Sequence, residues 1–198
     1  MTEAAASRRI LTIPNVVSFV RLLSIPVFWW VLLVQDNVSV AAWIVFIVGW
    51  TDWIDGFLAR RLDQVSEVGK ILDPVADRLM IASALIGGLI AGVLPVWFGW
   101  GLIAREALVG GMALYLAASG AGTIEVRWLG KAATFALYGA IPAFYLAAGG
   151  VAEGLMEPIA WFFGIIGVVL YWYVAVLYIG DSRDKLAALE SSPDAEEV

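Results

Sequence analysis

Long apolar stretches alternate with short polar connections along most of the chain. A bilayer core of about 30 Å is crossed by roughly 20 apolar residues in a helix. The pattern predicts membrane-spanning helices at Val16–Val34, Val38–Ala59, Gly69–Ala91, Pro95–Ala118, Gly130–Ala148 and Pro158–Ile179. The segment Leu11–Phe19 is less uniformly apolar, and it fits a short interfacial helix that feeds the first span. The expected fold is an all-α, polytopic integral membrane protein with six transmembrane helices.

The pattern changes after the sixth predicted span. Residues 181–198 are polar and acidic and are rich in Ser and Ala, which is typical of a tail that frays and has no chemical role. The rest of the chain shows neither a soluble second domain nor an internal repeat. We therefore expect a membrane domain over residues 1–180 and an acidic C-terminal tail over residues 181–198.

Basic residues lie on one side of the predicted membrane. The connections Gln35–Asn37, Gly92–Leu94 and Gly149–Glu157 contain no Lys or Arg. The basic residues of the termini and the other connections are Arg8, Arg9, Arg60, Arg61, Lys70, Arg127, Lys131, Arg183 and Lys185. Because cytoplasmic loops carry an excess of Lys and Arg, both termini are expected in the cytoplasm.

Composition restricts the chemistry further. The chain is 62% hydrophobic and 15% charged, whereas a soluble domain carries about 25% charged residues. It contains no Cys and no His, which excludes disulfides, thiol nucleophiles, imidazole catalysis and the usual zinc sites. Any metal chemistry must therefore use oxygen ligands, which favours Mg²⁺, Mn²⁺ or Ca²⁺.

Paired carboxylates interrupt the second and third predicted spans. Asp52 and Asp55 are three residues apart and Asp73 and Asp77 are four apart, so each pair shares a helix face. A short loop joins these antiparallel spans, and both pairs are expected at similar depth near the cytoplasmic leaflet. Like charges that converge need a counter-charge, and divalent cations such as Mg²⁺ or Mn²⁺ supply it. Two metals are the usual arrangement for displacement at phosphorus.

Small residues and an arginine accompany these carboxylates. Gly56 and Ala59 leave room for a ligand or another helix, and Gly69 precedes the acidic face of the third span. Arg60 closes the second span, where its planar fork suits a phosphate. Interfacial salt bridges with neighbouring arginines are the competing interpretation, and they do not account for the small residues.

Read in order, these residues form the motif Asp52-x-x-Asp55-Gly56-x-x-Ala59-Arg60, followed after a spacer by Gly69-x-x-x-Asp73-x-x-x-Asp77. The motif resembles the full signature of the CDP-alcohol phosphatidyltransferases, with every fixed position matched. The resemblance implies that a phosphatidyl group is transferred from CDP-diacylglycerol to an alcohol, with release of CMP, in phospholipid biosynthesis.

The resemblance also implies the roles of these residues. Asp52, Asp55 and Asp73 would bind metal, and Asp77 would be the catalytic base and also touch a metal. The nucleotide and pyrophosphate would be bound by Asp52, Gly56, Ala59, Arg60 and Gly69. Two Mg²⁺ or Mn²⁺ ions per site are expected, in a homodimer of the bacterial inner membrane. The active site would face the cytoplasm, and no nucleic acid would be bound.

Segments outside the motif bear on the acceptor alcohol. Ala104-Arg105-Glu106 resembles the glycerol-phosphate and cardiolipin branches of the family. Gly110–Ala113 lacks the basic residue that phosphatidylglycerophosphate synthases carry there. Gly130–Phe135 and Tyr171–Tyr173 resemble actinobacterial cardiolipin synthases. The expected acceptor is phosphatidylglycerol, with glycerol 3-phosphate as the alternative.

Three basic residues are candidates for contacting the acceptor phosphate: Arg105, Arg127 and Lys131. Arg105 lies inside a predicted span and must be paired or solvated there. A bridge from Arg105 to Glu106, with Arg127 and Lys131 as ordinary cytoplasmic loop residues, is the competing interpretation.

Two other functions use acidic residues within membrane helices. Intramembrane prenyltransferases gather metal-binding aspartates, but they space them differently and are larger. Cation transporters and channels carry carboxylates along an ion pathway. The carboxylates here flank a cytoplasmic loop rather than the midplane, and the sequence shows no paired broken helices.

Overall fold

The computed structural model describes residues 13–62, 67–122 and 128–190, and helices make up most of this part of the chain. Within these ranges, the side chains of residues 13–15, 50, 52–71, 73–74, 188 and 190 are not described. The helices are α1 (Ile13–Leu33), α2 (Val38–Leu62), α3 (Glu67–Ile90), α4 (Val96–Ala118), α5 (Trp128–Ala148) and α6 (Glu153–Glu190). This part of the chain contains six helices and no strand, which confirms the predicted all-α fold.

Length and apolar composition identify the chain as a membrane protein. Within the described residues, three helical segments are long and apolar enough to cross a bilayer: Val16–Leu33, Val96–Ala118 and Glu153–Ala187. The exposed side of α1 is itself apolar, since Val20, Leu23, Val27 and Trp30 are all exposed. An outward apolar face of this extent suits a lipid environment better than water.

The remaining helices are less uniformly apolar. In α2 the apolar segment Val38–Gly49 is followed by the acidic motif, and α3 contains the rest of that motif. In α5, Lys131 lies near the start of an otherwise mostly apolar helix. The charges that point to chemistry are therefore also those that shorten the apolar runs.

Several helix ends differ from the predicted spans. From Ile13 on, the segment expected to form a separate interfacial helix is continuous with the first span as α1. The expectation that the chain frays from Asp181 is wrong up to Glu190, where α6 ends. Ser182 is only 4% exposed and donates a hydrogen bond to the Tyr178 carbonyl at 2.6 Å. Residues 191–198 lie outside the described part.

The chain divides into two compact units, of which the first contains α1, α2, α3 and residues 141–160. In this unit α1 packs against both α2 and α3. A Cβ added at Gly87 would lie 2.9 Å from Leu32 Cδ2 and 3.0 Å from Phe28 Cε1, so glycine allows α1 and α3 to approach closely. The Tyr145 hydroxyl donates to the Ala84 carbonyl at 2.7 Å, and its ring meets Phe28 edge-on.

The second unit contains α4, residues 128–140 of α5 and α6 from Trp161 onward. A Cβ added at Gly167 would lie 2.8 Å from Leu137 Cδ2, which shows that α5 and α6 are in close contact. Trp97 stacks on Trp161 with ring centroids 6.1 Å apart. Helices α4 and α6 therefore pack against each other within the second unit.

The loops after α3 and α5 each contain a glycine with positive φ. Gly92 follows α3 with φ of 67°, and Gly150 follows α5 with φ of 74°. The amide of Val93 donates to the Gly88 carbonyl, and that of Val151 to the Leu146 carbonyl, each at 2.8 Å. This is the Schellman arrangement, which satisfies the last helical carbonyls and ends the helix.

Candidate active site

The last turns of α2 carry the first half of the acidic motif. The motif residues within α2 are Asp52, Asp55, Gly56, Ala59 and Arg60. Because the helix is unbroken as far as Leu62, the backbone places the two aspartates on one face. The side chains of these residues lie outside those that the structure describes, so their roles stay predictions.

The second half of the motif lies in α3, which begins at Glu67, shortly after α2 ends. Gly69 is in the first turn of α3, and Asp73 and Asp77 follow within the same continuous helix. Their spacing of four residues places both aspartates on one face. The side chain of Asp77 is described, whereas those of Gly69 and Asp73 are not.

Asp77 lies at the end of the buried face of α3. Its side chain is half-buried, and Met80, Ala84 and Gly88 follow it at helical spacing and are all buried. Leu79 belongs to the opposite face and is exposed. The acidic face therefore continues the face of α3 that packs inside the first unit, rather than its outward, apolar face.

A buried arginine of α1 lies at the level of Asp77. Ser24 contacts the Met80 sulfur at 4.0 Å, and Leu32 further along α1 lies beside Gly87, so α1 and α3 run side by side in the same direction. Arg21 is one turn before Ser24, as Asp77 is one turn before Met80. Arg21 is only 3% exposed, which brings a positive charge to this end of the first unit.

The donor groups available here fit a hard divalent cation. The motif offers carboxylates alone, which are the preferred ligands of Mg²⁺ and Mn²⁺. The residues that would hold such ions are Asp52, Asp55, Asp73 and Asp77. Carboxylates that converge repel one another, and divalent cations would relieve that repulsion.

The candidate acceptor residue Arg105 is buried in a network with Glu106 and Tyr171. Arg105 is 6% exposed, and its Nη1 donates to Glu106 Oε1 at 2.9 Å. Its Nε donates to the Tyr171 carbonyl at 3.4 Å, and its guanidinium carbon lies 3.6 Å from the centroid of the Tyr171 ring. The Tyr171 hydroxyl also donates to Glu106 Oε1.

This network explains how α4 carries two charges within a membrane span. An isolated charge near the middle of a span costs about 2.5–3.5 kcal/mol on insertion scales. The ion pair, the aromatic face and the backbone carbonyl each offset part of that cost for Arg105. The bridge to Glu106 considered from the sequence is therefore present, while Glu106 keeps its side chain 46% exposed.

The two other acceptor candidates are placed differently. Lys131 is exposed in the first turns of α5, and Arg127 lies outside the described residues. The neighbouring Gly130 faces α6, since a Cβ added there would lie 3.5 Å from the Tyr178 hydroxyl. The start of α5 is thus held against α6, with Lys131 at its surface.

Sequence reasoning singled out Tyr171 only as part of the segment Tyr171–Tyr173 and did not predict its contacts with Arg105 and Glu106. It lies within an aromatic stretch of α6 that is typical of lipid-facing or packing surface. Its partner Glu106 is 65 residues away in sequence, so no local spacing connects them. The signal available from sequence was the pair of charges at Arg105 and Glu106. Charges within a membrane span need polar partners, so a contact with another helix was to be expected.

Comparison with known proteins gives one consistent result. The sequence profile of the CDP-alcohol phosphatidyltransferase family matches residues 11–178. A cardiolipin synthase (CMP-forming) of Streptomyces coelicolor is 40% identical over 186 residues, covering 91% of this chain and 86% of that protein. A putative cardiolipin synthase of Mycobacterium tuberculosis is 36% identical over 183 residues, covering 90% and 86%.

A third relative has a different named acceptor. A CDP-diacylglycerol–glycerol-3-phosphate 3-phosphatidyltransferase of Bacillus subtilis is 34% identical over 148 residues. That similarity covers 68% of this chain and 76% of the relative. The similarity to the two cardiolipin synthases therefore covers more of this chain.

Proposed function

Because the chain belongs to the CDP-alcohol phosphatidyltransferase family, a family of metal-dependent membrane enzymes of phospholipid biosynthesis, we propose that phosphatidylglycerol is its acceptor. The phosphatidyl group would come from CDP-diacylglycerol, and the products would be cardiolipin and CMP. The observation that carries this choice is the 40% identity to a CMP-forming cardiolipin synthase over 91% of the chain. Because the chain belongs to this family, we no longer consider it a cation transporter or an intramembrane prenyltransferase.

Glycerol 3-phosphate is the second candidate acceptor. The relative from Bacillus subtilis that is named for this acceptor favours it. The segment Gly110–Ala113 argues against it, because no basic residue is present there to bind a small phosphorylated alcohol. Glycerol 3-phosphate carries more negative charge than the phosphodiester of phosphatidylglycerol, so it needs more cationic partners.

The metal ligands in this proposal are Asp52, Asp55, Asp73 and Asp77, with two Mg²⁺ or Mn²⁺ ions. When bound, such ions stabilise the negative charge on the pyrophosphate and on the departing CMP. Asp77 accepts the proton of the acceptor hydroxyl as its oxygen bonds to the phosphorus that carries diacylglycerol. The bond from that phosphorus to the CMP oxygen breaks in the same displacement. A half-buried carboxylate at the end of an interior helix face supports this role for Asp77.

The remaining motif residues would bind the nucleotide side of the donor. Arg60 would contact the pyrophosphate, and Gly56, Ala59 and Gly69 would allow the ligand close to the helix backbones. Small residues suit that role because they leave space beside the carboxylates. On the acceptor side, Arg105, Arg127 and Lys131 would bind the headgroup phosphate.

The cellular placement is also part of the proposal. The basic residues favour an orientation with both termini and the acidic motif on the cytoplasmic side. The named relatives are bacterial, which supports the bacterial cell membrane as the location. The family resemblance further suggests a homodimer. The donor fits this location, since its acyl chains lie in the bilayer while its nucleotide faces the cytosol.

An acceptor panel tests the proposed function. Purified protein would receive CDP-diacylglycerol, Mg²⁺ or Mn²⁺, and one of phosphatidylglycerol, glycerol 3-phosphate or inositol phosphate. We expect CMP release and cardiolipin, read by lipid mass spectrometry, with phosphatidylglycerol alone. Phosphatidylglycerophosphate as the main product would establish the second candidate. No CMP release with any of these acceptors would reject both.

A further inference from the structure

The Arg105–Glu106–Tyr171 network leaves one acceptor atom and one donor atom available. Both hydrogen bonds to Glu106 end on Oε1, and Arg105 donates through Nε and Nη1. Within the described part of the chain, nothing donates to Glu106 Oε2 and nothing accepts from Arg105 Nη2. The network thus leaves one hydrogen-bond acceptor of Glu106 and one donor of Arg105 unused.

Space for a ligand adjoins this pair. Gly110 is one turn after Glu106 on the same side of α4, and a Cβ added at Gly110 would meet nothing within 4 Å. Glu106 itself is half exposed, whereas its partner Arg105 is more than nine-tenths buried. The carboxylate is therefore held through Oε1 while the Glu106 side chain as a whole stays 46% exposed.

Holding α4 against α6 does not by itself require this arrangement of Glu106. The α4–α6 contact is already made by the Arg105 guanidinium on the Tyr171 ring and carbonyl. Satisfying the buried cation calls for a single carboxylate oxygen, and that oxygen is Oε1. A carboxylate left half exposed within a membrane span marks a place where polar groups of a ligand or water enter.

We propose that Glu106 is a specificity-determining residue that recognises the glycerol headgroup of the acceptor. Glu106 Oε2 accepts a hydrogen bond from the headgroup hydroxyl that does not attack phosphorus, and Arg105 Nη2 donates to the headgroup phosphate. Tyr171 holds the carboxylate in position through Oε1. This inference rests on the proposed function, because it takes a glycerol-type alcohol as the acceptor.

The test compares two acceptors that differ by this one hydroxyl. Phosphatidylglycerol has a middle and a terminal hydroxyl, whereas phosphatidylpropane-1,3-diol keeps the attacking terminal hydroxyl and lacks the middle one. Acceptor KM, donor KM and kcat would be measured for the wild type, Glu106→Gln and Tyr171→Phe. The matched control is Tyr173→Phe, an exposed tyrosine two residues further along α6.

We expect Glu106→Gln to raise the KM for phosphatidylglycerol by about tenfold or more, as expected for loss of a hydrogen bond to a charged group. The same variant should leave the KM for phosphatidylpropane-1,3-diol and for CDP-diacylglycerol unchanged. Tyr171→Phe should follow this pattern with a smaller effect, and Tyr173→Phe should match the wild type. If the KM rises equally for both acceptors, Glu106 only holds the helices together, and the inference is overturned. A wild type that uses neither acceptor would instead reject the proposed function.

A second variant covers the case in which Glu106→Gln fails to fold. Gly110→Leu fills the open space beside Glu106, keeps the network intact and replaces a poor helix former with a good one. We expect a raised acceptor KM with an unchanged KM for CDP-diacylglycerol. A Gly110→Leu protein that is folded and has wild-type acceptor KM would show that no headgroup enters here.

Discussion

Two buried arginines illustrate how single residues shape the chemistry of this protein. Arg21 in α1 and Arg105 in α4 are the buried charged residues among those that the structure describes. A guanidinium stays charged at any physiological pH, so burial fixes a positive charge rather than removing it. Arg105 is balanced by Glu106, and Arg21 lies at the level of Asp77. Each buried cation thus accompanies a carboxylate to which we assign a role in the reaction.

The proposed metal ligands can be tested one at a time. Asp52→Asn, Asp55→Asn and Asp73→Asn should each abolish CMP release, because an amide oxygen carries no charge to hold a divalent cation. Asp36→Asn is the matched control. Asp36 lies in a loop with φ of 49°, a conformation that Asn also tolerates, so this variant should keep full activity. Near-normal turnover of a motif variant at moderate metal concentration would remove that residue from the ligand set.

Asp77 has a different expected outcome. Asp77→Asn should still bind CDP-diacylglycerol, because the other three carboxylates remain, while transfer stops for want of a proton acceptor. Binding of a labelled CDP-lipid and CMP release, measured on the same preparation, separate the two steps. If donor binding is lost together with transfer, Asp77 acts chiefly as a metal ligand.

For single residues, the sequence predicted only those positions that depend on local spacing. The positions of Asp52, Asp55, Asp73 and Asp77 on shared helix faces follow from intervals of three and four residues once each segment is helical. The hydrogen bond between Tyr171 and Glu106 could not be predicted, since it depends on how α4 packs against α6. The level of Arg21 relative to Asp77 likewise depends on the packing of α1 against α3.

Glycine determines how closely whole helices approach each other. Gly87 lets α3 pack against α1, and Gly167 lets α6 pack against α5. Gly149 lies tight against backbone, since a Cβ there would lie 2.7 Å from the Ser39 Cα. Ser39 Oγ also donates to the Gly149 carbonyl. The end of α5 is therefore held against the start of α2 by a contact that has no room for a side chain.

Gly149→Ala should destabilise the protein by about 1–3 kcal/mol, because backbone atoms cannot move aside as a flexible side chain can. Gly154→Ala is the matched control, since a Cβ there would meet nothing within 4 Å and α6 is already helical. That control should be neutral or slightly stabilising. Thermal unfolding in detergent gives the comparison, and equal unfolding temperatures of the two variants would contradict the packing argument.

The sequence predicted the number of helices correctly but placed their ends less accurately. The apolar pattern stops at the first charges, so it ended the second span at Ala59 and the sixth at Ile179. The helices continue to Leu62 and Glu190, because helix formation depends on backbone hydrogen bonds rather than on hydrophobicity. Residues such as Lys185, Leu186 and Ala187 are good helix formers in any environment.

For the whole molecule, the prediction that matters most is orientation. The chain has no Cys, so a single introduced thiol is a unique label. Gln35 and Asp184 are both exposed, and the distribution of basic residues predicts them on opposite sides of the membrane. In intact cells, a membrane-impermeant maleimide should label Gln35→Cys and not Asp184→Cys until the membrane is opened. The reverse pattern would invert the proposed orientation and place the acidic motif outside the cytoplasm.

The length of α6 has a practical consequence for imaging. At 1.5 Å per residue its 38 residues extend about 57 Å, well beyond the roughly 30 Å hydrocarbon core. A protein of 21.4 kDa offers little mass outside a detergent micelle for particle alignment. A soluble helical domain fused in register at Glu190 would form a rigid fiducial. Each residue added to or removed from the junction would rotate that marker by about 100° around the helix axis, so its orientation could be chosen at will.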